Sequence, residues 1–305
     1  MITLTKIREL DLAEAPTAGR PQHVSAASGL VCLGSFIYVV ADDELHLGVF
    51  QTEHSEPGRL IRLFDGALPD SKPDRKKQKP DLEALTVFPP YGDCPHGALL
   101  AVGSGSTRHR RRGALLGLDA QGAVHGSPRV VDLSPILVAL DDAFPELNIE
   151  GAVVSGDELC LLQRGNTRHP DNAVVRFPLA AVVDSLSSER HGAIKPFAIV
   201  RFDLGQIDGV PFCFSDAAAL PDGGMIFTAI AENTEDSYND GPCLGAAIGM
   251  ANKDGRLHWM RRLDQPHKIE GVDVRLDGDG IRLLLVTDAD DPAVPAGLFS
   301  TTIEG

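Results

Sequence analysis

One short pattern returns five times along this chain of 305 residues, and no other feature restricts its fold so tightly. Each copy starts on a small or acidic residue, continues through small and apolar residues into a turn, and ends in a β-rich run. The copies begin at Ser28-Gly29-Leu30, Leu82-Glu83-Ala84-Leu85, Ile149-Glu150-Gly151-Ala152, Ser215-Asp216-Ala217-Ala218 and Ile269-Glu270-Gly271-Val272. The apolar runs that answer them include Phe36-Ile37-Tyr38-Val39-Val40, Leu159-Cys160-Leu161-Leu162 and Ile281-Arg282-Leu283-Leu284-Leu285-Val286. Turns such as Gly34-Ser35, Ser155-Gly156-Asp157 and Asp222-Gly223-Gly224 are tight hairpin connections. Between positions 83, 150, 216 and 270 the steps are 67, 66 and 54 residues, the room one four-stranded blade with extended loops requires. Regular strand–turn spacing without long helical periodicity predicts an all-β fold, a five-bladed β-propeller of four-stranded blades.

The blades are expected near residues 28–65, 82–133, 149–204, 215–264 and 269–303, within a single domain spanning 1–305. The fifth runs out one strand short, and a strand at 3–10 is left over at the start of the chain. Lending that strand to the last blade closes the ring and removes an exposed sheet edge. Short helices are expected at 134–147, with Ile136, Leu137 and Leu140 on a packed face, and at 179–186.

Composition excludes several classes. A formal charge of −15 argues against nucleic-acid partners. No apolar run reaches the length a membrane span needs, and the first residues lack the pattern of a secretory signal. The five cysteines are odd in number and contain no Cys-x-x-Cys pair, so disulfides and structural zinc are not expected. A cytoplasmic protein with reduced thiols is the expectation.

In a propeller blade the loops entering the innermost strand and those joining the second strand to the third emerge on one face. On this chain that face collects the charge, including Asp42-Asp43-Glu44 and Asp288-Ala289-Asp290-Asp291. Two of its loops resemble each other: Gly105-Ser106-Thr107-Arg108-His109 and Gly165-Asn166-Thr167-Arg168-His169. Arg108, His109, Arg168 and His169 are candidates to hold an anion, because guanidinium groups match phosphate and carboxylate geometry. The bland alternative is ancestral likeness between blades, with the arginines paired to nearby acids. The basic run at 72–79 belongs to the same face and reads as a solvated loop.

Glu83, Glu150, Asp216 and Glu270, with Ser28 at the fifth place, occupy matching positions and are expected to converge on the channel mouth. Crowded carboxylates repel one another, which a hard cation such as Ca²⁺ or Mg²⁺ relieves. Two other readings remain open: each acid fastens its blade by accepting backbone N–H groups, or the channel is simply water-filled. No nucleophile elbow and no His-Glu-x-x-His motif occurs.

These motifs together resemble the phytase-like, "esterase-like" propeller family over roughly residues 25–300. More weakly, the blade count and acid ring are similar to calcium-activated nucleotidases. Gluconolactonase-like propellers also open on Glu-Gly, although their further Asn and Asp ligands have no counterpart here. The resemblance implies a divalent-metal-dependent hydrolase of a phosphorylated or other anionic small molecule. Glu83, Glu150, Asp216, Glu270 and Ser28 would then hold the metal, and His109 or His169 would serve as general acid or base. A lactonase-like hydrolase and a non-enzymatic binding or scaffold propeller are the alternatives.

Overall fold

Runs such as Leu99-Leu100-Ala101-Val102 and Leu283-Leu284-Leu285-Val286 are apolar on both strand faces, which suits a strand enclosed between two packed layers. A computed structural model of the protein, describing residues 1–187, 192–236, 241–278 and 280–304, places both in such strands. Five antiparallel four-stranded sheets form, and four of them follow chain order from the inside outward. The innermost strands are Ala27–Leu33, Leu82–Phe88, Ile149–Ser155, Cys213–Ala219 and Ile269–Asp277. Each lies against the next, and the last meets the first, so the sheets are the five blades of a closed propeller. A two-stranded ribbon, Gln206–Ile207 with Val210–Pro211, joins the third blade to the fourth.

The fifth blade is completed as expected. Its outermost strand is Thr5–Glu9, paired antiparallel with Gly297–Glu304. Every apolar cluster belongs to an interface between neighbouring blades rather than to one central core. Leu100, Ile149 and Phe177 pack between blades two and three, and Phe212, Phe214 and Phe227 between three and four. Leu30, Val39 and Leu298 close the ring between blades five and one.

All five innermost strands carry the same irregularity. Pairing with the second strand slips by one residue, leaving Ser28, Glu83, Glu150, Ser215 and Glu270 unpaired. Such a bulge re-aims a side chain and bends its strand. It also corrects the sequence alignment in blade four: the residue at the repeated position is Ser215, and Asp216 lies one step beyond.

Two local expectations change as well. The basic run is not a solvated loop but a helix, Lys72–Gln78, with Arg75 and Lys79 both buried. The segment 134–147 forms a single helical turn, Ser134–Leu137, continued by the 3₁₀ turn Val138–Leu140. Beyond it the chain turns on the Leu140 carbonyl, which accepts the Ala143 and Phe144 N–H groups at 2.9 and 3.1 Å. The helix near 179 spans Leu179–Ser187, and all five cysteines are free thiols.

Candidate functional site

In three blades the bulged residue and the one two places before it, just ahead of the strand, both reach the central channel: Glu83 with Asp81, Glu150 with Asn148, and Glu270 with Lys268 line one funnel-shaped cavity that opens to solvent. The residues directly after three second strands, Asp42, Arg164 and Asp288, add a layer above them. Glu232 ends the second strand of blade four and joins the same wall. Among the described residues the lining holds twelve acidic and eight basic side chains.

The charges sort into two groups. On one side the Arg164 guanidinium donates to Glu232 and sits 3.2 Å from Glu150 Oε1 and 3.7 Å from Glu270 Oε1. Lys268 Nζ lies 2.7 Å from Asp290 Oδ1, 3.6 Å from both Glu232 and Glu270, and 3.7 Å from Asp288. On the other side Lys79 Nζ pairs with Asp42 and lies 2.8 Å from Asp81 Oδ1, while Arg110 Nη1 lies 2.6 Å from Asp81 Oδ2.

Acids still outnumber cations, and their proton affinities rise. Burial pushes Glu150 up to about 7 against the pull of Arg164. Asp288 reaches about 8, through burial and the nearby Asp42 and Asp290 charges, against the pull of Lys268. Glu83 is raised well above the usual carboxylate range by burial and by Glu150, Asp81 and Asp42, with Lys79 only partly offsetting them. Glu270 is raised as well, chiefly by burial, and its Oε2 is buried without a hydrogen-bond partner.

Of the residues expected on the channel, Ser28, Glu83, Glu150 and Glu270 do line the funnel. Ser28 Oγ donates to the Ala26 carbonyl and accepts the Asp42 N–H, which orders the loop after the second strand. Asp216 does not join them. One residue past the bulge, it turns toward blade five and accepts the Val272 N–H at 2.8 Å, a blade-fastening contact. Ser215, at the ring position, donates to Thr228 Oγ1 instead.

The paired loops are also placed differently from expectation. None of Arg108, His109, Arg168 and His169 is among the lining residues. His109 Nε2 lies 3.0 Å from the Gln78 carbonyl oxygen, and exposed Arg168 pairs with Glu235 at 2.9 Å. The His169 backbone N–H donates to Asn166 Oδ1. The two loops instead bring Arg110 and Arg164 to the cavity; Asp42 and Lys79, expected on this face without a role, line it too, as do Lys268, Asp81 and Glu232. Lys268 was recoverable from its place two residues before the acidic position; Asp81, at a φ of 59° just ahead of its strand, was not recoverable from strand alternation. Arg164 and Asp42 needed the register of the second strands.

A divalent cation has a place here. Asp42, Asp81 and Glu83 each offer a carboxylate oxygen, and these atoms all lie within 4.8 Å of one another. An all-oxygen donor set of this kind suits Ca²⁺ or Mg²⁺ rather than zinc or copper. Glu270, whose Oε2 is buried without a hydrogen-bond partner, stands apart from this set beside Arg164 and Lys268.

Fold and site together define a five-bladed β-propeller whose channel mouth is a charged funnel. The chain belongs to DUF6929, a family of unknown function whose profile matches residues 23–303. No curated protein matches it. Among solved structures, a luciferin-regenerating enzyme is 11% identical, with a TM-score of 0.50 over 100% of this chain and 96% of that one. An engineered GH43 glycoside hydrolase is 11% identical with a TM-score of 0.54; the match covers 99% of this chain but only 51% of the hydrolase. At such identity the likeness is one of fold. No helix among the described residues is long and apolar enough to cross a membrane.

Proposed function

We propose that the funnel is the active site of a divalent-cation-dependent hydrolase acting on a small anionic substrate, a phosphorylated compound in the first instance. The observation that carries this reading is the convergence of Asp42, Asp81 and Glu83 on one wall of an open polar cavity. These three residues would hold the Ca²⁺ or Mg²⁺. Bound there, the ion would polarise the scissile group and acidify a water. Arg164 and Lys268 carry fixed positive charge on the opposite side, where they orient an anion and keep Glu150, Glu232 and Glu270 from expelling it. The resemblance of the sequence motifs to phytase-like propellers supports a phosphoester, and the luciferin-regenerating enzyme and the GH43 glycoside hydrolase support catalysis by analogy of fold alone.

Calorimetric titration with Ca²⁺ and with Mg²⁺, beside a panel of phosphoesters and lactones, tests the proposal. Expected are binding of at least one ion, turnover of a phosphoester that a chelator abolishes, and binding at least tenfold weaker in Asp81→Asn. A wild-type protein that binds neither ion and turns over nothing overturns it. A second reading, a non-enzymatic binding propeller, is favoured by one observation: Lys79 already neutralises Asp42 and Asp81 from within the chain. Cation binding without turnover of any panel member would select it, and turnover of lactones alone would select the lactonase-like alternative.

A further inference from the structure

The side chain of Lys79 occupies an unusual place. Its ammonium pairs with Asp42 and lies 2.8 Å from Asp81, two of the three carboxylates that converge as a cation site. Its backbone is fixed independently of those contacts. Lys79 directly follows the helix Lys72–Gln78, and its N–H donates to the Arg75 carbonyl at 2.8 Å. Arg75 in turn is clamped by the Asp43 and Pro69 carbonyls at 2.8 and 3.1 Å and by Glu44 at 2.9 Å. Only the four-carbon stem of Lys79 is free of these backbone restraints, and it lies on the wall of the cavity.

A divalent ion and an ammonium cannot share the same carboxylate oxygens, since a hard cation needs those oxygens at about 2.0–2.6 Å and repels a second positive charge. Displacement leaves the ammonium in acid-rich surroundings, since the cavity is lined by twelve acidic and eight basic side chains among the described residues. An ammonium driven off Asp42 and Asp81 stays tethered within the funnel.

We infer that Lys79 is a built-in competitor for the cation, holding the Asp42–Asp81 side of the site until a divalent ion displaces it, and then serving as an anion-binding group in the funnel. The inference rests on the cation-site reading above. It makes binding ordered: the cation enters first, and the anion follows to meet the released ammonium. Lysine suits the task because its charge is a point on a flexible stem, whereas a planar guanidinium would be locked to one geometry.

The test uses Mg²⁺ and Ca²⁺ separately as probes, on the full chain and on Lys79→Met, with inorganic phosphate as the anion in the Mg²⁺ series. Cation affinity should rise at least tenfold in Lys79→Met, while phosphate affinity at saturating Mg²⁺ should fall at least tenfold. On the wild-type protein, peptide-resolved amine labelling should show Lys79 reacting faster when the cation is added, a readout that needs no variant to fold. If the wild-type protein and the variant both bind no cation, the functional reading fails and takes this inference with it. If the wild-type protein binds a cation but Lys79→Met binds it no more tightly, or cation leaves Lys79 labelling unchanged, the competitor role is overturned while the cation site stands.

Discussion

Arg164 shows how much a single buried charge can decide. It is nine-tenths buried and faces Glu150, Glu232 and Glu270, so its guanidinium, together with Lys268, offsets the negative charge gathered on that side of the cavity. Removing one partner of a buried charge cluster leaves the others uncompensated, typically at a cost of about 3–5 kcal/mol. Arg164→Met should therefore lose about that much stability at pH 8, measured by urea unfolding. The sign of the pH effect is fixed. Glu150 already sits at about 7 with Arg164 in place, above its unfolded value, so protonation favours the folded state. Without Arg164, Glu150 and Glu270 rise further, and the deficit should shrink as the pH is lowered from 8 toward 5. A deficit independent of pH would show that packing, not charge, is what Arg164 supplies. At this scale the sequence was partly legible. Glu83, Glu150 and Glu270 were identifiable from their repeat, whereas His109 and His169 drew attention through a local likeness that says nothing about where a side chain points.

The repeated element is a bulge followed by a small residue, and each half has its own work. The bulge turns Glu83, Glu150 or Glu270 into the funnel. The next residue faces the neighbouring blade, where the innermost strands approach so closely that little side chain fits. A Cβ on Gly29 would lie 2.9 Å from the Leu85 nitrogen and 3.1 Å from the Ala84 carbonyl carbon; on Gly151 it would meet nothing nearer than 3.3 Å. Overpacking against backbone costs about 1–3 kcal/mol, whereas a tolerated Gly→Ala change gains about 0.4–1 kcal/mol from the unfolded chain. Gly29→Ala should thus destabilise while Gly151→Ala stays within about 1 kcal/mol of wild type, by chemical denaturation of both. Equal effects would remove the close-approach account. Asp216 takes the place of this small residue in blade four, and its carboxylate fastens Val272 of blade five rather than facing the funnel. Sequence comparison aligned it with the acids because aspartate and glutamate look alike in a repeat; the one-residue register that separates them flips a side chain to the opposite face.

Closure is a property of the whole ring. The strand Thr5–Glu9 covers the outer edge of Gly297–Glu304, and fully buried Leu10 packs with Leu298 between blades five and one. Deleting residues 1–10 should expose that edge, lower the melting temperature and produce dimers or larger species by light scattering, because an unpaired strand edge recruits other chains. A monomeric variant with unchanged melting would show that the first strand is dispensable. The five blades, their order, the borrowed strand that closes them and three of the acids at the channel mouth can all be read along the chain. Those features are written in local periodicity and in a repeat counted along the chain. Three-dimensional packing was needed to see that the basic run is a helix presenting Lys79 to Asp42 and Asp81, that Arg164 and Lys268 offset charge on one side of the funnel, and that Asp216 belongs to a blade interface. The reason is physical: strand periodicity fixes which residues share a face, but bulge register and loop path decide which charges from different blades come within a few ångströms of one another.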